Sequence, residues 1–262
     1  MRKNRVKEIC ASGGVAVTAW CGSSSPYFTE IAGHSGFDCV TVDMQHGIIG
    51  IETAISCLQA ISSTPAMPML RVPANYGPVI MHALDSGAYG IICPMVSTPD
   101  DARAFVDACL YPPLGTRSFG PQRGLLYGGA DYGQHANDEI LKLAMIETRE
   151  GLANLDAILD TEHLDGIYIG PNDFSLALGG KPSCEPTEPQ VVEAIEKVVT
   201  ATRAKGLICG IFSSNGNAAR MRADQGFNFL TPGGDVGHYR DGAGHELAAA
   251  RGEGGAFSRG GY

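Results

Sequence analysis

The feature that most constrains this chain is a regular alternation of short apolar runs with longer amphipathic stretches. The runs occupy Val15–Trp20, Phe37–Asp43, Met67–Val72, Gly90–Pro94, Leu141–Glu147, Gly166–Ile169, Leu207–Phe212 and Phe229–Thr231, and each reads as a buried strand. Helix-period patterns fall at Ile51–Ile61, Pro78–Ser86, Pro99–Leu110, Gly151–Leu159, Pro189–Lys205 and Ala218–Gln225. In the first of these, Ile51, Ala54, Ile55, Leu58 and Ile61 share one face. Pro99 with Asp100 and Asp101 is a start signal, and Gly206 after Lys205 is a stop signal. Strands alternating with helices call for a parallel sheet with βαβ crossovers. Eight such units in 262 residues average about 33 residues each, near the roughly 30 of a βαβ repeat. The expected fold is α/β, a single (β/α)8 TIM barrel over residues 1–250, with a doubly wound open sheet as the alternative. Residues 251–262 carry five glycines and are expected to fray or cross to a partner subunit.

Tyr111–Ala136 fits none of these patterns. With Pro112, Pro113, Pro121 and many glycines it reads as a long surface loop, of the kind that serves as a lid or binding loop.

Composition narrows the function. A net charge of −9 without a Lys/Arg cluster argues against nucleic acid and anionic membranes as partners. No apolar stretch reaches the length of a membrane span. Arg2, Lys3, Arg5 and Lys7 precede an apolar segment in the manner of a signal peptide, but Gly13 and Gly14 interrupt it, and a first strand is the better reading. The eight cysteines form no C-x-x-C pair, and several lie in apolar runs, which suits a reduced, cytoplasmic compartment.

Position singles out four ionisable residues. Asp43 and Glu147 end strands, Arg71 nearly ends one, and Asp173 lies in the turn after Ile169. In a barrel those ends converge on one mouth, where catalytic groups gather. Each also has a plain reading: Asp43 and Asp173 as turn or helix caps, Glu147 as the start of a helix, His46 as a loop histidine. Together the carboxylates suit a hard divalent ion such as Mg²⁺ or Mn²⁺. Zinc-type histidine spacing, a P-loop, G-x-G-x-x-G after a strand and a G-x-S-x-G elbow are all missing. Lys142 begins its strand, the wrong end for a Schiff base.

Several segments in order resemble the HpcH/HpaI aldolase family of metal-dependent pyruvate aldolases. They are Gly36-Phe37-Asp38 through Asp43-Met44-Gln45-His46, Arg71-Val72-Pro73, and Tyr111 to Arg117. Ile146 to Glu150 and Asp165 to Asp173 complete the set, which spans roughly residues 10 to 240. The resemblance implies that Glu147 and Asp173 bind a divalent ion (Mg²⁺, Mn²⁺ or Co²⁺) and that Arg71 holds the 2-oxo acid. It makes Asp43 and His46 a proton-relaying dyad and Trp20 an aromatic at the mouth. Backbone amides of the Gly170-Pro171-Asn172-Asp173 turn would receive the substrate carboxylate. It further implies a homo-hexamer built as a trimer of dimers.

Two positions depart from the family pattern: Gln45 stands where glutamate is common, and Met145 where glutamine is common. Loss of such neighbours can loosen the water held by an ion. Choice of aldehyde is expected to depend on Arg117–His135, including Gln122, Arg123 and Tyr127, with Asp85 of a neighbouring subunit. The expected activity is reversible cleavage of 4-hydroxy-2-oxo acids to pyruvate or hydroxypyruvate and an aldehyde. Oxaloacetate decarboxylation of the macrophomate synthase type, CoA-thioester lyase chemistry and a binding barrel without catalysis are the competing readings.

Overall fold

A computed structural model describes residues 1–253. Eight parallel strands close into a barrel in sequential order. They are β1 (Ala16–Cys21), β2 (Cys39–Asp43), β3 (Met67–Arg71), β4 (Gly90–Cys93), β5 (Leu141–Ile146), β6 (Gly166–Ile169), β7 (Ile208–Ser213) and β8 (Phe229–Pro232). Nearly every strand residue is buried, as expected where a barrel interior lies on one side and helices on the other. The (β/α)8 barrel expected from the sequence is therefore the fold, and the open-sheet alternative is excluded by the pairing of β1 with β8.

The first half of the helical layer comprises α1 (Arg5–Ala11), α2 (Pro26–His34), α3 (Ile51–Ile61), α4 (Gly77–Asp85) and α5 (Pro99–Cys109). There follow α6 (Gln122–Gly128), α7 (Tyr132–Glu139), α8 (Arg149–Ala153), α9 (Leu155–Leu159) and α10 (Pro171–Ala177). Last come α11 (Pro189–Ala204), α12 (Gly216–Asp224) and α13 (Asp235–Ala250). The start signal at Pro99 is a full capping box: Thr98 accepts from the Asp101 N–H, and Asp101 accepts from the Thr98 N–H. The helical stretch expected at Gly151–Leu159 divides into α8 and α9 at Asn154, whose side chain donates to the Ser97 carbonyl at 2.9 Å.

One expectation is corrected. Tyr111–Ala136 is not a structureless lid, because it contains α6 and part of α7, with Tyr127 and Tyr132 buried. Its apolar rings gain more from packing on the barrel than from spanning its opening. The segment lies beside the C-terminal ends of α3 and α4, the end of the barrel where strands begin. There Arg123 donates to the Ser86 carbonyl at 2.8 Å and to the Ser62 hydroxyl at 2.6 Å.

That same end is closed by α1. Asn4 caps α1 and donates to the Tyr89 and Glu139 carbonyls, while its own N–H reaches Glu139 at 2.7 Å. Lys142, buried at the start of β5, is neutralised by Asp165 at 2.7 Å. The charge that looked unsuited to a Schiff base is thus a structural one. Of the expected tail, residues 254–262 lie outside the described part of the chain.

Candidate active site

Strand alternation sends Trp20 (β1), Asp43 (β2), Arg71 (β3) and Tyr168 (β6) into the interior near the C-terminal ends. Strands β1 and β6 are not neighbours, yet the Trp20 and Tyr168 rings stack with centroids 5.5 Å apart. They form the floor of a cavity of about 240 Å³ whose wall includes Asp43, His46, Arg71, Met145 and Phe212. The turn Gly170 to Asp173 completes the rim.

Asp43 and Arg71 face each other in the β2–β3 register and make a bidentate pair. Arg71 Nε donates to Oδ1 at 2.7 Å and a terminal nitrogen donates to Oδ2 at 2.6 Å. Trp20 Nε1–H adds a bond to Oδ2 at 3.3 Å, and its ring lies 4.8 Å from the guanidinium carbon. Burial alone would push the Asp43 carboxyl up, but Arg71 and the Gln45 N–H hold it below the usual carboxylate range. Asp43 is therefore a fixed anion that locks Arg71 in orientation.

The two residues of the expected Asp–His dyad are joined through the backbone. Asp43 Oδ1 accepts from the backbone N–H of Gln45 at 3.0 Å and of His46 at 3.4 Å, and no bond joins it to the imidazole. The carboxylate shapes the turn that presents His46, and the exposed ring stands on the cavity wall. Gly47 is required in that turn, since a Cβ there would come within 2.2 Å of the Asp43 carbonyl.

Glu147 follows β5 and is 2 % exposed. Its Oε1 accepts from the Met95 N–H at 2.7 Å, whereas Oε2 is buried without a hydrogen-bond partner. Burial, with Asp173 nearby, pushes this carboxyl up to about 7. A buried carboxylate oxygen with no donor is costly unless something positive meets it. Asp173, exposed in the first turn of α10, supplies a second carboxylate at the same rim. Among the described residues no group of three or more His, Cys, Asp or Glu could hold an ion alone. Two carboxylates, one of them with an orphaned oxygen, still fit a hard ion that keeps water in its remaining positions.

The first hydrogen bond of α10 runs from the Phe174 N–H to the Gly170 carbonyl at 3.0 Å. The N–H groups of Asn172 and Asp173 precede it and lack an intrahelical acceptor, while Pro171 has no N–H to leave unpaired.

The sequence-derived residues thus divide. Trp20, Asp43, His46, Arg71, Glu147 and Gly170 to Asp173 come together at one mouth. Asp85, Arg117, Gln122 and Arg123 gather elsewhere: the Arg117 side chain is 0 % exposed, paired with Asp85 at 2.7 Å and lying 4.4 Å from the Tyr111 ring centre. Tyr168, Phe212 and Met95 were missed. Tyr168 was readable, since it lies two residues before Gly170 and so shares its face. Nothing in the sequence signals Met95, whose role is carried by its backbone.

Fold and site together define a (β/α)8-barrel enzyme with carboxylate and arginine groups converging on the C-terminal mouth. The chain belongs to the HpcH/HpaI aldolase/citrate lyase family, whose sequence model matches residues 17–242. It is 39 % identical over 248 residues to the hydroxypyruvate/pyruvate aldolase of Rhizorhabdus wittichii, covering 95 % of this chain and 99 % of that one. With the 4-hydroxy-2-oxo-heptane-1,7-dioate aldolase of Salmonella dublin it shares 36 % identity over 252 residues, covering 95 % and 94 % of the two chains. Among solved structures, an HpcH/HpaI aldolase/citrate lyase family protein from Burkholderia cenocepacia superposes with a TM-score of 0.89 at 28 % identity, covering 95 % and 100 %.

Proposed function

We propose that this carbon–carbon lyase is a divalent-metal-dependent pyruvate aldolase. It reversibly cleaves 4-hydroxy-2-oxo acids to pyruvate, or hydroxypyruvate, and an aldehyde. The observation that carries the reading is a small cavity lined by the locked Arg71 guanidinium and Asp173, with the open oxygen of Glu147 directly beside Gly170 of its wall. Relatives named as pyruvate-type aldolases, alike over nearly the whole chain, support it.

Glu147 and Asp173 would hold Mg²⁺, Mn²⁺ or Co²⁺, which when bound supplies Lewis-acid stabilisation of charge developing on a 2-oxo acid. Arg71 places a second fixed positive group beside that charge, already oriented by Asp43, so no reorganisation is needed as it develops. The N–H groups of Asn172 and Asp173 bind the substrate carboxylate. His46 moves the proton between the substrate and solvent. Trp20, stacked on Tyr168, walls water out of the floor.

The partners are small molecules, a 2-oxo acid and an aldehyde. None of the described helices is long and apolar enough to cross a membrane. All eight cysteines are free thiols, in keeping with a reduced, cytoplasmic setting. Assembly as a homo-hexamer would bring the Asp85, Arg117, Gln122 and Arg123 region of one chain toward the mouth of another, where it could select the aldehyde.

The test is pyruvate release from 4-hydroxy-2-oxo acids before and after exhaustive chelation. Loss on chelation, recovery with Mn²⁺, and collapse in Glu147→Ala are expected. Full activity in the chelated enzyme overturns the metal, and release from oxaloacetate alone overturns the aldolase.

A further inference from the structure

We propose that Met95 and Gly170 together position Glu147, pinning one carboxylate oxygen and holding the other open to a cation. The inference rests on the reading of Glu147 as a metal ligand, and names what sets its geometry.

Met95 has φ +58°, a conformation that residues with a side chain rarely hold. Side-chain packing does not explain it, since Met95 is 56 % exposed. The conformation instead turns the Met95 N–H onto Glu147 Oε1 at 2.7 Å. The segment after Met95 is bolted to the turn that carries Glu147. The Ser97 and Thr148 hydroxyls are 2.7 Å apart, the Ser97 carbonyl accepts from Asn154, and the Thr98 capping box fixes the start of α5. A strained residue held from both sides keeps its N–H where the strain puts it.

Gly170 completes the arrangement from the neighbouring strand, where it follows Ile169, the partner of Ile146 in the β5–β6 register. Its φ of −93° is open to any residue, so glycine is required there for space. A Cβ at Gly170 would lie 2.5 Å from Glu147 Oε2 and 2.9 Å from Met145 Cε. The missing Cβ leaves room for Oε2, and the Met145 methyl beside it offers no proton to satisfy that oxygen. One carboxylate oxygen is thereby committed to the backbone, and the other is reserved for a positive charge.

The experiment is substrate-free Mn²⁺ titration, read from the EPR signal of free Mn²⁺, with thermal melts to verify folding. Wild type binds Mn²⁺ and E147Q does not. M95V, whose β-branched side chain disfavours positive φ, and G170A each lose affinity by at least about tenfold. M95G keeps it within about twofold, because glycine supplies the same backbone turn without strain. Wild-type affinity in folded M95V or G170A overturns the proposal, as does a loss in M95G equal to that in M95V. Absence of binding to wild type, or undiminished binding to E147Q, overturns the metal reading instead. Should M95V not fold, G170A against M95G decides.

Discussion

Glu147 and Asp43 are both buried carboxylates at one mouth, and their surroundings push them in opposite directions. Glu147 sits at about 7 against an ordinary 4.5, first through burial and then through Asp173. The folded chain therefore keeps a proton that the unfolded chain releases between about pH 4.5 and 7, so metal-free stability falls as pH rises through that window. In chelator, Glu147→Gln is expected to be more stable than wild type at pH 8, by up to roughly 3 kcal/mol, with the gap closing near pH 5. Urea denaturation at the two pH values checks this, and a pH-independent gap contradicts it. For Asp43 the sign reverses: its depressed folded pKa contributes stability above the ordinary carboxylate range and loses it as acid protonates the group. Arg71→Ala strands that buried anion. A cost of about 3–5 kcal/mol in urea denaturation is expected, with pyruvate release reduced at least about 100-fold. These residues were legible because strand ends are legible. The bond from Asp43 to the His46 backbone was not, since sequence shows which residues are near one another but not which atoms they offer.

Elements were readable where period and punctuation agreed. The expected strands match β1 to β8 within one or two residues, and α3 has the expected bounds. The helices that escaped are short or carry glycine. Among them, α6 is Gln-Arg-Gly-Leu-Leu-Tyr-Gly, and α13 carries three glycines in its sixteen residues. Glycine costs helix propensity, so tertiary packing decides such segments and the local sequence does not. Which end of the barrel the Arg117 segment packs against was not legible for a related reason, because a Pro- and Gly-rich stretch does not announce it. The Thr98 cap was announced by Pro99 and the acidic pair after it. Thr98→Ala is expected to cost about 1 kcal/mol in urea denaturation. Because the same turn steadies Met95, Mn²⁺ affinity should weaken as well, and an unchanged affinity would separate the cap from the site.

At the scale of the whole molecule, α13 stands apart. It runs from Asp235 to Ala250 without one buried residue, and it leaves Val236, Tyr239 and Leu247 exposed, the first two lining one groove with Phe28 of α2. Most helical stability in proteins comes from packing a face, so a helix of this kind is suited to a further chain. Light scattering is expected to give the mass of six chains, and truncation after Gly234 to give a smaller assembly; a monomer in both would remove the hexamer.

The Asp43–Arg71 pair has a consequence before any substrate arrives. The two residues are partners across β2 and β3, and side chains in a strand alternate between faces. A slip of one residue in that pairing would turn one of them into the helical layer and leave two buried charges without each other. Misassembled barrels would thus be penalised at the very strands that build the site. The pair acts as a proofreader of sheet assembly, so a chain that folds at all folds with its guanidinium already aimed.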